Sequence, residues 1–402
     1  MADLHGNATT RIVLTDLNIW DGTTLVDADA IAVERSTITA IGSAADLLPA
    51  GRAGARQRLS YAGATALPGL IDAHVHMVLD PANRRPPAAT DMPDTAAMAE
   101  RAASMVRAGI TTARDLGGGA WVEIALRDRI NAGELAGPRL LCAGQPVTCP
   151  GGHCHFWNGE AVDADAATTV IKRQIAHRAD WIKVMATGGR ITRGSDPRQP
   201  QFDLATMRAI VATARAAGRP VAAHCHGTAG IAIAAEAGVN SIEHCSWVGE
   251  AGWAGDYQAA IADIIADNGV WVSPTVNSGW QRMLDGDGAR LGRIRRALKA
   301  MLALDIPFMA STDAGIPGVY HHHLPQALAV YAKITESTAL QTLLTATSQA
   351  AVGLGISSQT GSLKPGLAAD LLIVDGDPLA DLRALTRPVG VWARGRPVLT
   401  RH

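Results

Sequence analysis

The 402 residues are enough for one large α/β domain with a small appendage, and 48% of them are hydrophobic, which is typical of a globular protein. The formal net charge is −1, so the chain has no basic excess for binding nucleic acid or an anionic membrane surface. No apolar run is long enough to cross a bilayer, and the N-terminus has no pattern typical of a secretory signal. We therefore expect a cytoplasmic protein that has neither a nucleic acid nor a membrane as partner.

Short apolar segments separated by Gly and Asp predict β-strands near both ends of the chain. These candidate strands are residues 11–20, 30–34, 37–42, 370–375 and 389–394. Because the two ends share this pattern, we expect them to fold together. We predict that residues 1–67 and 358–402 form one small β-sandwich domain around a central body.

The central body, residues 68–357, alternates short apolar runs with Ala-rich helical stretches such as residues 205–217. Its candidate strands are residues 69–74, 110–114, 138–142, 181–185, 220–224, 241–244, 270–274 and 307–311. Near-continuous apolar strands separated by helices favour a parallel sheet. Eight such units suit a closed barrel better than an open sheet, so the sequence predicts a (β/α)8 TIM-type barrel of the α/β class.

Residues of metal-binding types lie in or just after five of these eight strands, where the catalytic groups of such a barrel are found. His74 and His76 close the first strand as His-Val-His. Alternate side chains of a strand share one face, so both imidazoles can reach the same ion. The remaining candidates are Lys183 in the fourth strand, His224 at the end of the fifth, His244 at the end of the sixth and Asp313 after the eighth.

Lys183 is the least expected of these residues, because its neighbours Trp181, Ile182, Val184 and Met185 are apolar. A buried ammonium group needs a partner or a lowered pKa. A purely structural role for this lysine is therefore a poor explanation.

Five motifs carry a resemblance to a known family. They are Pro68-Gly-Leu-Ile-Asp-Ala-His-Val-His76, Trp181-Ile-Lys-Val-Met-Ala-Thr-Gly-Gly189, Ala223-His-Cys-His-Gly227, Ser241-Ile-Glu-His-Cys245 and Ser311-Thr-Asp-Ala-Gly315. In this order they resemble the amidohydrolase superfamily, and within it the imidazolonepropionase-related and prolidase-like branch. The resemblance extends from about residue 10 to the segment 361–371, which is nearly the whole chain.

The resemblance implies a centre with two divalent metal ions. His74, His76 and Asp313 would hold the more buried ion, and His224 and His244 would hold the other. Lys183, carboxylated by CO2 to a carbamate, would bridge the two ions. Carbamate formation needs a neutral amine, which an apolar strand favours. A ligand set rich in nitrogen and oxygen with no required thiolate suits zinc, which is the metal we expect.

This arrangement implies hydrolysis by a metal-bridging hydroxide. Coordination by metals can lower the pKa of water from about 15.7 to about 7, which makes hydroxide available at neutral pH. Asp313 would act as general base towards the hydroxide and then as general acid towards the leaving amine. The second metal would polarise the carbonyl oxygen of the substrate.

Three further residues are candidate substrate contacts. His153 follows the third strand in a Gly-Gly-His segment that resembles one lining the pocket of prolidase-like members. His226 stands where dipeptidases of this branch often have Tyr, which weakens assignment as a dipeptidase. Arg190 begins an arginine-rich loop after the fourth strand and could bind a carboxylate, although a solvated loop is an equal alternative. The run His321–His323 could cover the pocket, but a surface loop is the favoured interpretation.

The resulting hypothesis is a hydrolase that cleaves a C–N amide-type bond in a small molecule, such as a dipeptide, an N-acyl amino acid, a carbamate or a urea. One alternative is hydrolysis of a cyclic amide or imidazolone, or deamination. Deaminases of the superfamily usually lack the lysine of the fourth strand, so Lys183 argues against them. The other alternative is a non-catalytic metal-binding barrel, against which the complete ligand set argues. A homo-oligomer is expected, and the sequence does not identify the substrate.

Overall fold

A computed structural model describes residues 11–48, 56–85, 87–286 and 288–400, which form three β-sheets and twelve α-helices. The strands are β1 (Arg11–Trp20), β2 (Leu25–Val26), β3 (Ala30–Glu34), β4 (Thr37–Gly42), β5 (Arg56–Pro68), β6 (Leu70–Val75), β7 (Ile110–Asp115), β8 (Arg139–Cys142), β9 (Ile182–Met185), β10 (Val221–Gly227), β11 (Ser241–Val248), β12 (Trp271–Ser273), β13 (Leu371–Asp375), β14 (Pro388–Ala393) and β15 (Arg396–Thr400). The helices are α1 (Ala44–Leu47), α2 (Thr95–Arg107), α3 (Val122–Ala132), α4 (Ala164–Ala176), α5 (Leu204–Ala216), α6 (Thr228–Ala237), α7 (Ala259–Asp267), α8 (Gln281–Asp285), α9 (Gly288–Ala303), α10 (Leu324–Thr335), α11 (Ala339–Thr345) and α12 (Ser348–Gly353).

Strands from both ends of the chain belong to one sheet of eight strands. The order of its strands is β15-β14-β13-β5-β1-β3-β4, with β2 paired to β1. β13 runs antiparallel to β5, with Leu371 opposite Pro68 and Asp375 opposite Ala64. Its apolar core includes Leu14, Ile31 and Trp392, which are all fully buried. Residues 1–10, 49–55, 401 and 402 of the predicted terminal domain lie outside the described residues.

Gly69 separates the end of this sheet from the first strand of the central body. β5 ends at Pro68 and β6 begins at Leu70, so the two strands are almost continuous. A Cβ atom at position 69 would lie 2.1 Å from Thr111 Oγ1, and no larger residue fits there without a shift of β7. The terminal sheet therefore holds the start of β6, the strand that carries His74.

The central strands form two parallel sheets, β6-β7-β8 and β9-β10-β11-β12. Every residue of β6, β7, β9 and β10 is buried. Helices separate most of these strands along the chain, and several of the helices begin at an aspartate whose side chain accepts a backbone N–H. This explains the near-continuous apolar runs of the sequence, because parallel strands are covered on both faces.

Backbone hydrogen bonds connect the two parallel sheets after β8. Val147 N donates to Lys183 O at 2.8 Å, and Met185 N donates to Val147 O at 2.8 Å. The segment that follows β8 therefore lies beside β9, although it forms only an isolated β-bridge there.

The segment at residues 307–310 makes the corresponding connection between β12 and β6. Met309 N donates to Val272 O at 2.9 Å, and Ala73 N donates to Ala310 O at 3.1 Å. The predicted eighth strand is thus an isolated bridge instead of a regular strand, in part because Pro307 has no N–H to donate. The order of the segments is that of a TIM-barrel-type fold. None of the helices in the described ranges combines the length and apolarity that a bilayer span requires.

Candidate metal centre

Six side chains that the sequence singles out converge at the C-terminal ends of the parallel strands. His74 and His224 are buried within β6 and β10, and Lys183 is buried within β9. The ring centroids of His74 and His244 are 5.2 Å apart, although β6 and β11 are distant in the sequence. The other two members are His76 and Asp313. The folded chain therefore brings together all six residues that were predicted to bind metal.

His74, His76 and Asp313 form a compact group that we call the first cluster. His74 Nε2 lies 3.3 Å from His76 Nε2 and 3.4 Å from Asp313 Oδ1, and His76 Nε2 lies 3.5 Å from Asp313 Oδ1. The opposite ring nitrogens face acceptors only: His74 Nδ1 lies 2.9 Å from Glu243 Oε2, and His76 Nδ1 lies 3.1 Å from Gly117 O. In neutral rings each Nδ1 therefore carries the proton, which leaves both Nε2 atoms as lone-pair acceptors.

Three acceptor atoms thus face one another in the first cluster with no hydrogen between them, which is unfavourable unless a cation lies among them. A tetrahedral ion with bonds of about 2.0–2.1 Å places its ligand atoms about 3.3–3.4 Å apart. The separations of 3.3, 3.4 and 3.5 Å match that spacing. The first cluster therefore fits a divalent metal ion of the size of zinc.

His224, His226 and His244 form a second cluster, in which the possible ligand atoms lie within 4.8 Å of one another. His224 Nε2 donates to Gly188 O at 3.1 Å, so Nδ1 is the atom available to a metal. His226 Nδ1 and His244 Nδ1 contact the hydroxyl groups of Ser246 and Thr275 at 3.0 and 2.9 Å. Burial lowers the pKa of all three rings, which keeps them in the neutral form that binds metals. The sequence prediction treated His226 as a substrate contact and did not group it with the other two.

Lys183 lies near both clusters and is only 1% exposed. Burial and, among other charges, that of Lys183 lower the pKa of His74, His224 and His244. Burial also lowers the pKa of Lys183 itself, which favours the neutral amine. The nearby carboxylates of Glu243 and Asp313 act on its pKa in the opposite direction but do not offset burial.

A buried ion pair lies behind the first cluster, and the sequence analysis missed it. Glu243 of β11 and Arg114 of β7 are both 0% exposed and are joined by a contact of 2.7 Å between Oε1 and Nη2. Burial alone raises the pKa of Glu243, but Arg114 and the hydrogen bond from His74 more than offset this and lower it. The available signal was the one used for Lys183, a charged residue inside an apolar strand.

The predicted substrate contacts lie within or beside the second cluster. The His153 ring lies 4.5 Å from that of His224, and a Cβ atom at position 189 would lie 2.3 Å from His153 Nε2. The His226 ring meets Trp253 edge-on at 4.8 Å, and the Arg190 guanidinium lies 5.3 Å from the centroid of Trp253. Arg190 is exposed, whereas its loop neighbour Arg198 pairs with Asp196.

A cavity of about 530 Å³ opens beside the first cluster, and this volume suits a small molecule. Trp157 lies between the cavity and the first cluster, because its ring is 5.3 Å from the ring of His76 and also lines the cavity. Other apolar lining residues are Val78, Leu79, Met92, Phe156, Ile191 and Ile316. Charged lining residues are Asp80, Arg84, Arg85, Asp91, Asp94, Arg101 and Arg190. Of the predicted substrate contacts, Arg190 lines this cavity, and His153 and His226 lie deeper.

The run His321–His323 differs from the favoured sequence interpretation of a surface loop. His321 is 1% exposed, and its Nε2 lies 3.0 Å from the backbone oxygen of His76. A carbonyl oxygen can only accept, so His321 Nε2 donates this hydrogen bond. His321 thereby supports the backbone of His76, a candidate metal ligand. Only His322 and His323 are half-buried.

Comparison with known proteins finds related sequences along nearly the whole chain. The sequence profile of the amidohydrolase family matches residues 65–398. Ochratoxinase of Aspergillus niger is 28% identical and aligns with 94% of this chain and 84% of its own length. Imidazolonepropionase of Chloroflexus aggregans is 26% identical and aligns with 92% of this chain and 91% of its own length.

Two solved structures share this fold at lower sequence identity. A Xaa-Pro dipeptidase with bound methionine superposes with a TM-score of 0.82 at 24% identity, covering 96% of this chain and 99% of that chain. The crystal structure of A. niger ochratoxinase superposes with a TM-score of 0.80 at 22% identity, covering 98% of this chain and 96% of that chain.

Proposed function

This chain belongs to the amidohydrolase family, and from that membership we propose that it cleaves the C–N bond of a small amide at the two clusters. Metal-dependent hydrolysis of C–N bonds is the activity that the family and its named relatives support. The observation that carries the proposal is the first cluster, where three acceptor atoms lie 3.3–3.5 Å apart with no hydrogen to share.

His74, His76 and Asp313 would hold one divalent ion, and His224 and His244 would hold the other. The second cluster contributes three imidazoles and no anionic group, so the charge of an ion there would be balanced by an anionic ligand from elsewhere. Lys183 meets that need if its neutral amine adds to CO2 and releases one proton, which gives a carbamate with a single negative charge. Its burial and its position near both clusters support a role as the ligand that the two ions would share. Zinc is the metal we propose.

Bound metal ions would supply a water molecule of lowered pKa and polarise the carbonyl group of the substrate. The remaining chemistry falls to the protein. The Asp313 carboxylate is 16% exposed towards the site and would accept the proton of the attacking water. It would then deliver this proton to the leaving nitrogen, which must be protonated for the amide bond to break.

The cavity beside the first cluster would receive the substrate. Its mixture of apolar and charged walls suits a small molecule with both an apolar group and a charge, such as a dipeptide, an N-acyl amino acid or a carbamate. Relatives named as a dipeptidase and an ochratoxinase support the choice of an amide. His153 and His226 would contact the substrate beside the second cluster, and Arg190 would contact it from the rim.

Hydrolysis of a cyclic amide or imidazolone is the second candidate, which relatives named imidazolonepropionase support. Deamination is weaker, because the resemblance associates deaminases with the absence of the lysine at position 183. A non-catalytic barrel is the weakest, because no metal-type residue of either cluster is missing.

A turnover screen of the zinc-loaded protein tests the proposal. The panel contains dipeptides, N-acyl amino acids, aryl carbamates and an imidazolone, with amine, carboxylate and ammonia measured separately. Release of amine and carboxylate that disappears in Asp313→Asn supports amide hydrolysis. Release of ammonia alone would indicate deamination, and metal binding without any turnover would indicate a non-catalytic barrel.

We also propose the architecture that the sequence predicts in detail. A closed (β/α)8 barrel would occupy residues 68–357, and the terminal sheet would fold as a β-sandwich. The expected homo-oligomer is tested by light scattering of the purified protein during size-exclusion chromatography.

A further inference from the structure

The ion pair of Arg114 and Glu243 crosses the interior of the central body, from β7 to β11. Both side chains are 0% exposed. Removing two charges from water has a large energetic cost, and apolar residues of similar volume often replace such pairs without loss of stability. A function beyond packing is therefore the better explanation for this pair.

Every polar atom of the pair has a partner. The three donor nitrogens of Arg114 contact Ala73 O at 2.7 Å, Ser241 Oγ at 2.9 Å and Glu243 Oε1 at 2.7 Å. Ser241 Oγ also donates to Glu243 Oε1 at 2.6 Å. The guanidinium group lies 4.4 Å from the centroid of the Trp181 ring. With so many contacts, neither side chain can turn without breaking several bonds.

The contacts of this pair lead to one metal-type residue. Glu243 Oε2, the oxygen that Arg114 does not contact, accepts the hydrogen bond of His74 Nδ1 at 2.9 Å. Arg114 Nε binds the carbonyl of Ala73, the residue immediately before His74. The pair therefore holds both the imidazole ring and the adjoining main chain of His74.

We propose that Glu243 and Arg114 are positioning residues for His74 as a metal ligand, a role that rests on the metal centre of the proposed function. Glu243 fixes the tautomer that bears the proton on Nδ1, and its negative charge increases the electron-donating strength of Nε2. Arg114 fixes the direction of the Glu243 carboxylate through the contact of 2.7 Å between Nη2 and Oε1.

The other rings of the two clusters have weaker support. His76 donates to a backbone carbonyl, His224 donates to Gly188 O, and His226 and His244 contact hydroxyl groups. Among the described cluster rings, only His74 has a carboxylate behind it. The effect of the pair is therefore specific to the first cluster.

The test is metal affinity in competition with a chelator, measured for the intact protein and without substrate. In Glu243→Gln the first ion should bind about 10- to 100-fold more weakly, the range typical when an outer partner of a ligand is removed. The second ion should keep its affinity. Ser241→Ala is the matched control, because it removes a contact of the same carboxylate but leaves the bond between Glu243 and His74.

A second pair of variants tests the role of the positive charge of Arg114. This pair also provides the test if Glu243→Gln does not fold. Arg114→Lys keeps the charge, and Arg114→Met keeps much of the volume without it. The lysine variant should bind the first ion more tightly than the methionine variant at equal melting temperature. In NMR spectra of ¹⁵N-histidine-labelled metal-free protein, the Nδ1–H signal of His74 should weaken in Arg114→Met.

Two results would overturn the inference. The first is Glu243→Gln protein that binds both ions as the wild type does. The second is an equal loss of both affinities that parallels the fall in melting temperature, as a purely structural role would give. If the wild type binds two ions but hydrolyses nothing, the proposed function fails and this inference stands. If the wild type turns over an amide and Glu243→Gln binds metal normally, only the inference fails.

Discussion

The two clusters use the same side-chain arrangement to different effect. Each takes two histidines two positions apart, at the end of β6 or within β10, and a third residue from another part of the chain. The first cluster has a carboxylate as its third member and separations of 3.3–3.5 Å. The second has a third imidazole in place of the carboxylate.

The difference is one of charge. The first cluster carries the negative charge of Asp313, and Glu243 lies directly behind it. The second cluster consists of three imidazoles and contains no carboxylate. The comparison teaches that the first cluster already includes an anionic group for a cation, whereas the second includes none.

The third residue of each cluster also has an unusual backbone. Asp313 has a φ of 59° and His244 a φ of 66°, both in the left-handed region that residues other than Gly seldom adopt. Asp72 fixes the first of these by accepting bonds from Thr312 N at 3.1 Å and Thr312 Oγ1 at 2.6 Å. Strain of this kind is often concentrated at functional sites.

The largest expected effect comes from Asp313→Ala, which removes the charge that distinguishes the first cluster. Both the metal ligand and the proton acceptor are lost, so kcat should fall by about 10⁴-fold or to background. The first ion should be lost and the second retained, as measured by metal analysis of the purified variant. Asp267→Ala, which changes an exposed aspartate at the end of α7 outside both clusters, is the control. Equal loss of both ions would break the comparison, because the clusters would then not be independent.

Lys183→Ala should have the next largest effect and should act on the second cluster. Without the carbamate the second ion has no anionic ligand, so metal content should fall from two ions to one and activity should fall with it. Wild-type apoprotein should take up its second ion only when bicarbonate is present, whereas uptake of the first should not depend on it. Lys172→Ala, which changes an exposed lysine on α4, is the matched control. Full metal content and activity in Lys183→Ala would contradict the carbamate.

His226→Asn should have an intermediate effect that sharpens the description of the second cluster. If His226 contacts substrate, KM should rise about tenfold, the effect of losing one good hydrogen bond, and both ions should remain bound. His153→Asn provides a comparison at a second buried ring beside His224. Loss of the second ion in His226→Asn alone would show that all three rings of the second cluster bind metal.

Arg190→Ala should have the smallest effect, because the side chain is exposed and belongs to neither cluster. For substrates with a free carboxylate, KM should rise a few-fold, since an exposed charge pair contributes little. Neutral amides should be cleaved as by the wild type. An equal change for charged and neutral substrates would argue against a carboxylate contact and for a role in packing on Trp253.

The sequence predicted that the candidate metal ligands converge because these residues follow strand periodicity. Alternate histidines on an apolar strand must face the same side, and strand ends in a parallel sheet must meet at one edge. Positions such as His74 and His224 could therefore be selected without knowing any distance. The parallel strands themselves were predictable for the same reason.

What the sequence did not indicate depends on pairs of residues that are distant along the chain. Glu243 and Arg114 are 129 positions apart, and nothing local shows that they meet. The burial of His321 depends likewise on the carbonyl of His76. Arg198 resembled Arg190 in the sequence, but a local pair with Asp196 engages it. Side-chain partners across loops are thus the part that one sequence cannot supply.

The pairing of β5 with β13 has a consequence for biosynthesis. Residues 64–66 can pair with β1 early, but their other partners, at residues 371–375, are made about 300 residues later. The sheet that leads through Gly69 into β6 is therefore completed only when synthesis is almost finished. A nascent chain that stalls before β13 would leave one edge of β5 unpaired and open to other strands.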